Sequence, residues 1–347
     1  MGQNSPFALP HAGNLNFCRE LGASRQRQDQ IDHSQRVHNE RAMILIISAL
    51  IPHNRIQWHL LYAELDIEAA TRPAMPQSDQ VERTSGNKFS LEKYYVDLVT
   101  ADGEYFIGYS AFLSWRAIKI NYRATLHHPL LSGVSAGPSL SAGNGPVVDD
   151  SSLTWHSPKL GFDGQWQQLA SSERQVLHQT DEGAVKWKCL QPSARVQLTT
   201  ASGATYRGLG YVEFLKMTIP PWRLGLQTLL WGRFVSENHS VVWIEWQGKY
   251  NLILLICDGR KAMNPQISDS LVRCDEFELS LEHAETIRED SIDKTLVSKI
   301  PSILRFAPIE FLGGKEQKYV SRGRLAFLDG SDHTGWVIHE RVIWGQD

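Results

Sequence analysis

Cysteine is scarce in this 347-residue chain, and its four copies stand far apart at Cys18, Cys189, Cys257 and Cys274. No two of them form a CxxC pair, so the spacing of a disulfide scaffold and that of a zinc site are both absent. We therefore expect a reducing compartment, the cytoplasm, with no bound metal. The cysteines themselves are predicted to fill space in the core.

Long apolar runs and excess positive charge are also missing. The longest apolar run, residues 42–52 (AMILIISALIP), has about half of the ~20 residues that a membrane helix needs. It lies too far from the start, behind acidic residues, to act in a secretory signal. With a net charge of −3, the protein has no positive electrostatic field that would attract the phosphate groups of nucleic acids. We predict no integral membrane segment, no targeting signal and no nucleic-acid partner.

Lysine is absent from the first 87 residues, which contain eight arginines, whereas all thirteen lysines lie from Lys88 onward. In polar segments such as RQRQDQIDHSQRVHNE, the hydrophobic residues recur with neither the period of a helix nor that of a strand. Residues 1–87 are therefore predicted to be a disordered or weakly helical extension. The break fits either a flexible extension or a coding region whose natural start is Met75. Peptides from residues 1–74, sought by mass spectrometry of the native protein, would decide between these alternatives.

From Lys88 onward, apolar and aromatic runs alternate with two-residue turn signals, a pattern typical of antiparallel strands. In KYYVDLVTADGEYFIGYSAF, two alternating segments flank a pair that tolerates the positive φ angles of a hairpin turn. The predicted turns are Asp102-Gly103, Ser202-Gly203, Gln247-Gly248, Asp258-Gly259 and Asp329-Gly330. The best helical candidate is residues 290–304.

These strands predict an all-β protein with two tandem barrels or sandwiches. Proline removes a ladder donor and ends strand pairing, so the division is placed at Pro220-Pro221. The expected domains are residues 88–219 and 220–347, preceded by the extension of residues 1–87. The Gly- and Ser-rich segment 130–152 is predicted to be a long surface loop or a lid.

Several catalytic and cofactor motifs are missing. The glycines fit neither GxGxxG nor a P-loop, and there is no GxSxG nucleophile elbow. No HExxH spacing exists, and His127 and His128 are adjacent, so they diverge on a strand. We predict that the protein uses no cofactor and no metal. No pattern in the sequence indicates an oligomeric state.

Three segments together resemble a known family. GLGYVEF followed by WGRF, then VVWIEWQGKYNLILLICDGR, and the ending GWVIHERVIWG are similar to the tandem lipocalin-like proteins that include bacterial carotenoid hydratases (hydroxyneurosporene synthases) and related cyclases. The resemblance covers about residues 88–345 and implies two lipocalin-like barrels that act on an apolar small molecule. The family's Tyr-x-Asp pair, implied to serve acid chemistry on an alkene, corresponds here to Tyr211 and Glu213, with Glu in place of Asp.

Tyr211 and Glu213 lie on one face of a strand, and Val212 and Phe214 on the other, because side chains alternate. If the polar face lined a barrel interior, burial would favour a protonated Glu213 that donates its proton to an alkene. Water would then capture the carbocation, or a neighbouring group would cyclise it. The competing interpretation is a structural carboxylate; the cations considered as its partners are Arg223, Arg233 and Lys216.

Five further residues are candidates for ligand binding. The ring faces of Trp222, Trp231 and Trp243 could stabilise a carbocation. Glu245 shares a strand face with Trp243 and is a second candidate acid, and Arg233 is a candidate contact. His339 and Arg341 are predicted to share a face, while Glu340 and Ile338 point away.

Two functional classes remain open from the sequence. One is a cofactor-independent hydratase, isomerase or cyclase acting on an apolar small molecule through Glu213 and Tyr211. The other is a non-catalytic carrier of a hydrophobic ligand, which needs only a cavity. A purely structural interaction protein is the third and least favoured hypothesis.

Overall fold

The computed structural model describes residues 89–115, 118–129, 144–291 and 314–344, with residues 131, 133–134 and 139 in addition. The proposed extension of residues 1–87 lies outside these ranges. Within them the regular structure is strand, apart from one 3-10 turn at Pro221–Arg223. The predicted all-β class is confirmed, in the form of two curled antiparallel sheets.

The first sheet contains nine strands, all antiparallel to their neighbours. They are β1 (Ser90–Thr100), β2 (Tyr105–Trp115), β3 (Ile118–His127), β4 (Val147–Val148), β5 (Ser152–Ser157), β6 (Phe162–Gln168), β7 (Glu173–Thr180), β8 (Gly183–Thr200) and β9 (Thr205–Met217). The order is β3-β2-β1-β9-β8-β6-β5-β4, and β7 pairs with the first half of the long strand β8. Strand β9 is therefore central, between β1 and β8.

The second sheet also contains nine strands. They are β10 (Leu226–Val235), β11 (Ser240–Gly248), β12 (Leu252–Cys257), β13 (Arg260–Lys261), β14 (Gln266–Ile267), β15 (Leu271–Arg273), β16 (Phe277–Ser291), β17 (Lys315–Phe327) and β18 (Asp332–Ile343). The order is β13-β12-β11-β10-β18-β17-β16-β15-β14. The chain passes between the sheets through residues 218–225, so the proposed domain boundary at 219/220 falls in this connection.

The hairpin turns follow the predicted glycine signals. Gly103, Gly203, Gly248, Gly259 and Gly330 all have positive φ angles. At the β12–β13 turn Asp258 joins Gly259 with φ angles of 49° and 76°, the double positive conformation expected of an Asp-Gly hairpin.

One element differs from the sequence prediction. The helix expected from Asp290 does not begin there, because Asp290 and Ser291 are the last residues of β16 and pair with Glu316 and Lys315. Cross-strand hydrogen bonding to β17 outweighs the weak helical pattern of these residues. The rest of the predicted helix, residues 292–304, lies outside the described residues.

The two sheets pack against each other through their outer faces. Alternate side chains of β9 therefore point to different cores. Tyr211 lies in the core between the sheets, whereas Val212 and Phe214 lie in the core inside the first sheet. In β11, Val242 and Ile244 contribute to the shared core, and Trp243 lies in the core inside the second sheet. The molecule thus has three cores, and the shared one holds Tyr211.

A buried ion pair crosses between the sheets within this shared core. Arg233 of β10 donates from Nε and Nη2 to the two carboxylate oxygens of Asp97 in β1, at 2.9 and 2.8 Å. Both side chains are 0% exposed. Arg233 Nη1 also donates to the carbonyl oxygen of Trp336, at 2.9 Å. The bidentate geometry sets the position of β10 relative to β1.

No helix in the described part of the chain has the length and apolar character that crossing a membrane requires.

Removing one partner of the buried pair should destabilise the protein strongly. We expect Asp97→Ala to lower the free energy of unfolding by about 3–5 kcal/mol, because it leaves the Arg233 charge buried and unpaired. Replacing both residues, as Asp97→Leu with Arg233→Met, should cost less than the single change. Urea denaturation of the full chain measures both effects.

The matched control is the exposed pair of Arg324 and Asp332, whose atoms Nε and Oδ2 are 2.7 Å apart. Asp332→Ala should cost much less than Asp97→Ala, since solvent screens the exposed pair. Equal losses for Asp97→Ala and Asp332→Ala would contradict the role assigned to the buried pair.

Candidate functional site

The centre of the candidate site is the carboxylate of Glu213, which is 5% exposed and lies between the sheets. Strand β9 places it between Tyr95 of β1 and Cys189 of β8, the residues to which it is directly paired. Its side chain points toward the second sheet, on the face that also carries Tyr211. The site therefore lies at the contact of the two sheets and outside the interior of the first barrel.

Three uncharged donors converge on one oxygen of this carboxylate. Glu213 Oε2 accepts from Trp187 Nε1 at 2.7 Å, from the Tyr211 hydroxyl at 2.9 Å and from Trp231 Nε1 at 3.2 Å. Trp187 comes from β8 and Trp231 from β10, so the bonds join both sheets at a single atom. An indole nitrogen can only donate, which means that Oε2 is an acceptor toward all of its partners.

The other oxygen of Glu213, Oε1, has no hydrogen-bond partner among the described residues. None of the three cations considered from the sequence pairs with Glu213. Lys216 pairs with Glu92, Arg223 with Glu182, and Arg233 with Asp97. The carboxylate is thus held by neutral donors on one side, with the lone pairs of Oε1 unused.

Aromatic rings surround this carboxylate. Tyr95, Tyr211 and Trp231 contact one another edge to face, with ring centroids 5.1–6.0 Å apart. Burial, with Cys189 and Glu213 nearby, raises the pKa of Tyr211 well above its usual value. The Tyr211 hydroxyl therefore keeps its proton and stays a donor near neutral pH.

A buried lysine lies near the indole ring of Trp231. Lys318 Nζ is 5.7 Å from the ring centroids of Trp231 and Tyr95, and it donates to the Tyr109 hydroxyl at 3.0 Å. It forms an ion pair with Glu340. Burial lowers the pKa of Lys318, but Glu340, Tyr109 and Glu316 together outweigh this effect, so the pKa is raised overall. Lys318 is thus a fixed positive charge beside Trp231.

The structure brings together only part of the predicted set. Glu213, Tyr211 and Trp231 form one cluster, and Arg233 is occupied by Asp97. Trp222 packs at the edge of the shared core, against Phe89 and Trp115 at centroid distances of 6.0 and 5.9 Å.

The two remaining candidates lie on the opposite face of the second sheet. Trp243 covers Gly232 on that inner face, where the ring leaves no room for a Cβ atom at residue 232. Glu245 shares the face with Trp243, as predicted. Its Oε1 accepts from Gln247 at 2.8 Å, and its Oε2 is buried without a partner among the described residues.

A cavity of about 280 Å³ opens on this inner face. We call it the second-sheet cavity. The lining residues whose side chains lie on this face are Leu230, Trp243, Gln317, Tyr319, His339 and Arg341. Trp231 and Glu340, whose side chains point to the shared core, also border the cavity, together with Ser268, Asp269 and Ala284. Glu213 does not line the cavity, and Trp231 is the residue common to the cavity and the Glu213 cluster.

His339 is uncharged in this cavity at neutral pH. Burial lowers the pKa of His339 to about 4, against the smaller opposing influence of Asp269 and Glu340. Its Nε2 shares a hydrogen bond with the Ser321 hydroxyl at 3.0 Å, and its ring stacks on Tyr319 with centroids 5.2 Å apart. As expected from alternation, His339 and Arg341 face the cavity side of β18, and Ile338 faces the shared core.

Sequence reasoning did not single out Trp187, Tyr95, Lys318 or Glu340 as site residues. Each sits on a different strand from Glu213, at a separation along the chain that no local motif marks. One signal was available for Lys318: KEQKYVSRG alternates charged with apolar or neutral residues, which indicates polar side chains on one strand face.

Among the described residues, no group of three or more His, Cys, Asp or Glu side chains is arranged to hold a metal ion.

Comparison with known proteins gives structural matches only. No family model matches the chain, and no curated protein matches it significantly. The structure of CghA with Sch210972 matches at 12% identity and a TM-score of 0.40, covering 74% of this chain and 88% of that one. Kievitone hydratase from Nectria haematococca matches at 11% identity and a TM-score of 0.40, covering 75% and 90%.

An ATTH-type protein from Nitrosomonas europaea matches at 8% identity and a TM-score of 0.42, covering 78% of this chain and 98% of that one. At these identities the matches carry no information about a reaction. One of these structural neighbours carries the name of a hydratase, an enzyme class that the resemblance in the sequence also includes.

Proposed function

We propose that the protein is a cofactor-independent enzyme that transfers a proton to or from an apolar small molecule at Glu213. Hydratases, isomerases and cyclases belong to this class of reaction. The observation that supports it is the arrangement of three neutral donors on Oε2 of a buried carboxylate that has no cationic partner, with Oε1 left unused. A purely structural carboxylate in a core is more commonly paired with a cation or saturated at both oxygens.

The three donors orient the carboxylate and complement negative charge at Oε2. The proton is then exchanged at Oε1. In an isomerisation, Oε1 takes a proton from one carbon and returns it to another, so the product has the composition of the substrate. In a hydration, one carbon gains a proton and its neighbour gains hydroxide from water. Both reactions need no oxidant or reductant.

The aromatic cluster supports an apolar substrate with a charged transition state. The faces of Tyr95, Tyr211 and Trp231 are rich in π electrons, and a desolvated cation over such a face gains about 2 kcal/mol. Tyr211 also holds the carboxylate from the same strand, which accounts for the Tyr-x-Glu spacing. The cluster thus provides a proton-transfer group and a surface that stabilises positive charge.

The alternative function is a carrier that binds a hydrophobic ligand without changing it. The observation in its favour is the second-sheet cavity, whose lining does not include Glu213. A carrier requires this cavity alone, and the Glu213 hydrogen bonds would then serve only to join the two sheets.

Replacing Glu213 should abolish proton transfer and leave the fold intact. The full-length protein is incubated in D2O with a lipophilic extract of the source organism, and mass spectrometry follows the extract. The wild type should produce at least one component that has gained carbon-bound deuterium, and Glu213→Gln should not, because the amide has no exchangeable acid or basic lone pair of comparable strength.

The control is Glu92→Gln, which removes another buried carboxylate of the same strand pair, one bound to Lys216 at 3.3 Å. It should retain deuterium transfer. Unchanged extract components retained equally by wild type and Glu213→Gln would identify a carrier and would contradict the enzymatic proposal.

Removing single donors from Oε2 should slow the reaction. We expect Tyr211→Phe and Trp231→Phe each to lower the rate of deuterium transfer about tenfold, because each loses a hydrogen bond of about 1.4 kcal/mol that orients the carboxylate.

Trp336→Phe is the matched control, because this indole lies over the guanidinium of Arg322 at 3.8 Å and does not contact Glu213. Its rate of deuterium transfer should equal that of the wild type. If Tyr211→Phe and Trp231→Phe also kept the wild-type rate, the donors would have no part in proton transfer.

A further inference from the structure

The second-sheet cavity has balanced charges. Arg341 Nη1 donates to Asp269 Oδ2 at 2.6 Å, and the negative charge of Glu340 is matched by Lys318. His339 is neutral, for the reason given above. The charged groups of the cavity lining are therefore compensated in pairs. A ligand with a net charge would have to disrupt one of these pairs, so the cavity is suited to a neutral molecule.

The walls of this cavity favour a planar molecule. Trp243 of β11 is 2% exposed and lies over Gly232 of β10, while His339 of β18 and Tyr319 of β17 stack on each other. Gly232 and His339 are direct neighbours across β10 and β18, and His339 and Tyr319 across β18 and β17. The three rings therefore lie on one face of four adjacent strands, where a flat ring can make stacked contacts.

Arg341 has one donor nitrogen that a ligand can use. Its Nη1 is bound to Asp269, whereas no described residue accepts a hydrogen bond from Nη2, and the side chain is 38% exposed, which leaves the guanidinium accessible. A bound acceptor would gain a charge-assisted hydrogen bond from this nitrogen. A carbonyl oxygen is the neutral group that accepts a hydrogen bond from a guanidinium best, because it offers two exposed lone pairs.

We propose that the second-sheet cavity binds a neutral, planar aromatic ketone, whose ring stacks along Trp243, His339 and Tyr319 and whose carbonyl oxygen accepts a hydrogen bond from Arg341. The volume of about 280 Å³ lies near the lower limit of ordinary ligand pockets and suits a molecule of one or two fused rings. This site is separate from the proton-transfer site, since Glu213 is not part of its lining.

A set of three matched ligands tests the proposal on the full-length protein. They are 2-acetylnaphthalene, 2-ethylnaphthalene, which lacks the carbonyl, and 2-naphthoate, which carries a charge. Isothermal titration calorimetry should show 2-acetylnaphthalene binding at least about tenfold more tightly than either of the others. The ketone should bind more tightly than 2-ethylnaphthalene because it accepts a hydrogen bond from a charged donor. It should bind more tightly than 2-naphthoate because the charges of the cavity are already paired.

Two variants locate the contact. Arg341→Met should weaken the binding of 2-acetylnaphthalene about tenfold and leave 2-ethylnaphthalene unchanged. Asp269→Asn, which removes the negative charge that compensates the guanidinium, should increase the affinity for 2-naphthoate. Asp269 is on an exposed loop between β14 and β15 and Arg341 is partly exposed, so neither change threatens the core.

Glu213→Gln is the control that separates this proposal from the proton-transfer function. It should leave the affinity for 2-acetylnaphthalene unchanged, whether or not it abolishes deuterium transfer. Three results would overturn the proposal: no binding of the ketone, equal binding of ketone and hydrocarbon, or loss of ketone binding in Glu213→Gln. Tightest binding of 2-naphthoate by the wild type would also overturn it, in favour of an anion site.

Discussion

The bidentate bond between Arg233 and Asp97 sets the geometry on which the candidate site depends. It ties β10 to β1 in the middle of the shared core, where both side chains are shielded from water. Trp231 lies two residues before Arg233 on the same face of β10. The ion pair therefore positions the indole that reaches across to Glu213. Without this fixed distance between the sheets, the third donor to Oε2 would be absent.

The packing of the sheets through their outer faces divides the molecule into two kinds of environment. The shared core carries Glu213, Lys318 and Glu340 among aromatic side chains, and these polar groups have partners both in their own sheet and in the opposite one. The inner face of the second sheet carries its own apolar core and, beside it, the second-sheet cavity. Strands β10 and β18 serve both regions, because alternate residues point to each side.

Much of the local structure was predictable from residue patterns. Alternation in GYVEF assigned Tyr211 and Glu213 to one face and Val212 and Phe214 to the other, and the two cores confirm that separation. The Asp-Gly signals located the turns, because few residues other than glycine accept their positive φ angles. The helix expected from Asp290 was wrong at its start, because pairing with β17 there is a long-range interaction that a local pattern does not contain.

By itself, the sequence determined the strands, their turns, the class of fold and the side of each strand on which a residue lies, since these follow from neighbours a few positions apart. Only the tertiary structure decided what each face meets. Glu213 receives donors from residues 187 and 231, on other strands, and Arg233 binds Asp97 from a strand 136 residues away. Trp243 and Glu245, candidates for the same ligand site as Glu213, lie on the opposite face of the second sheet, and Trp243 lines the second-sheet cavity there. The physical reason is that alternation along a strand determines the sheet face on which a side chain lies. The residues that it contacts on that face depend on how one sheet packs on the other.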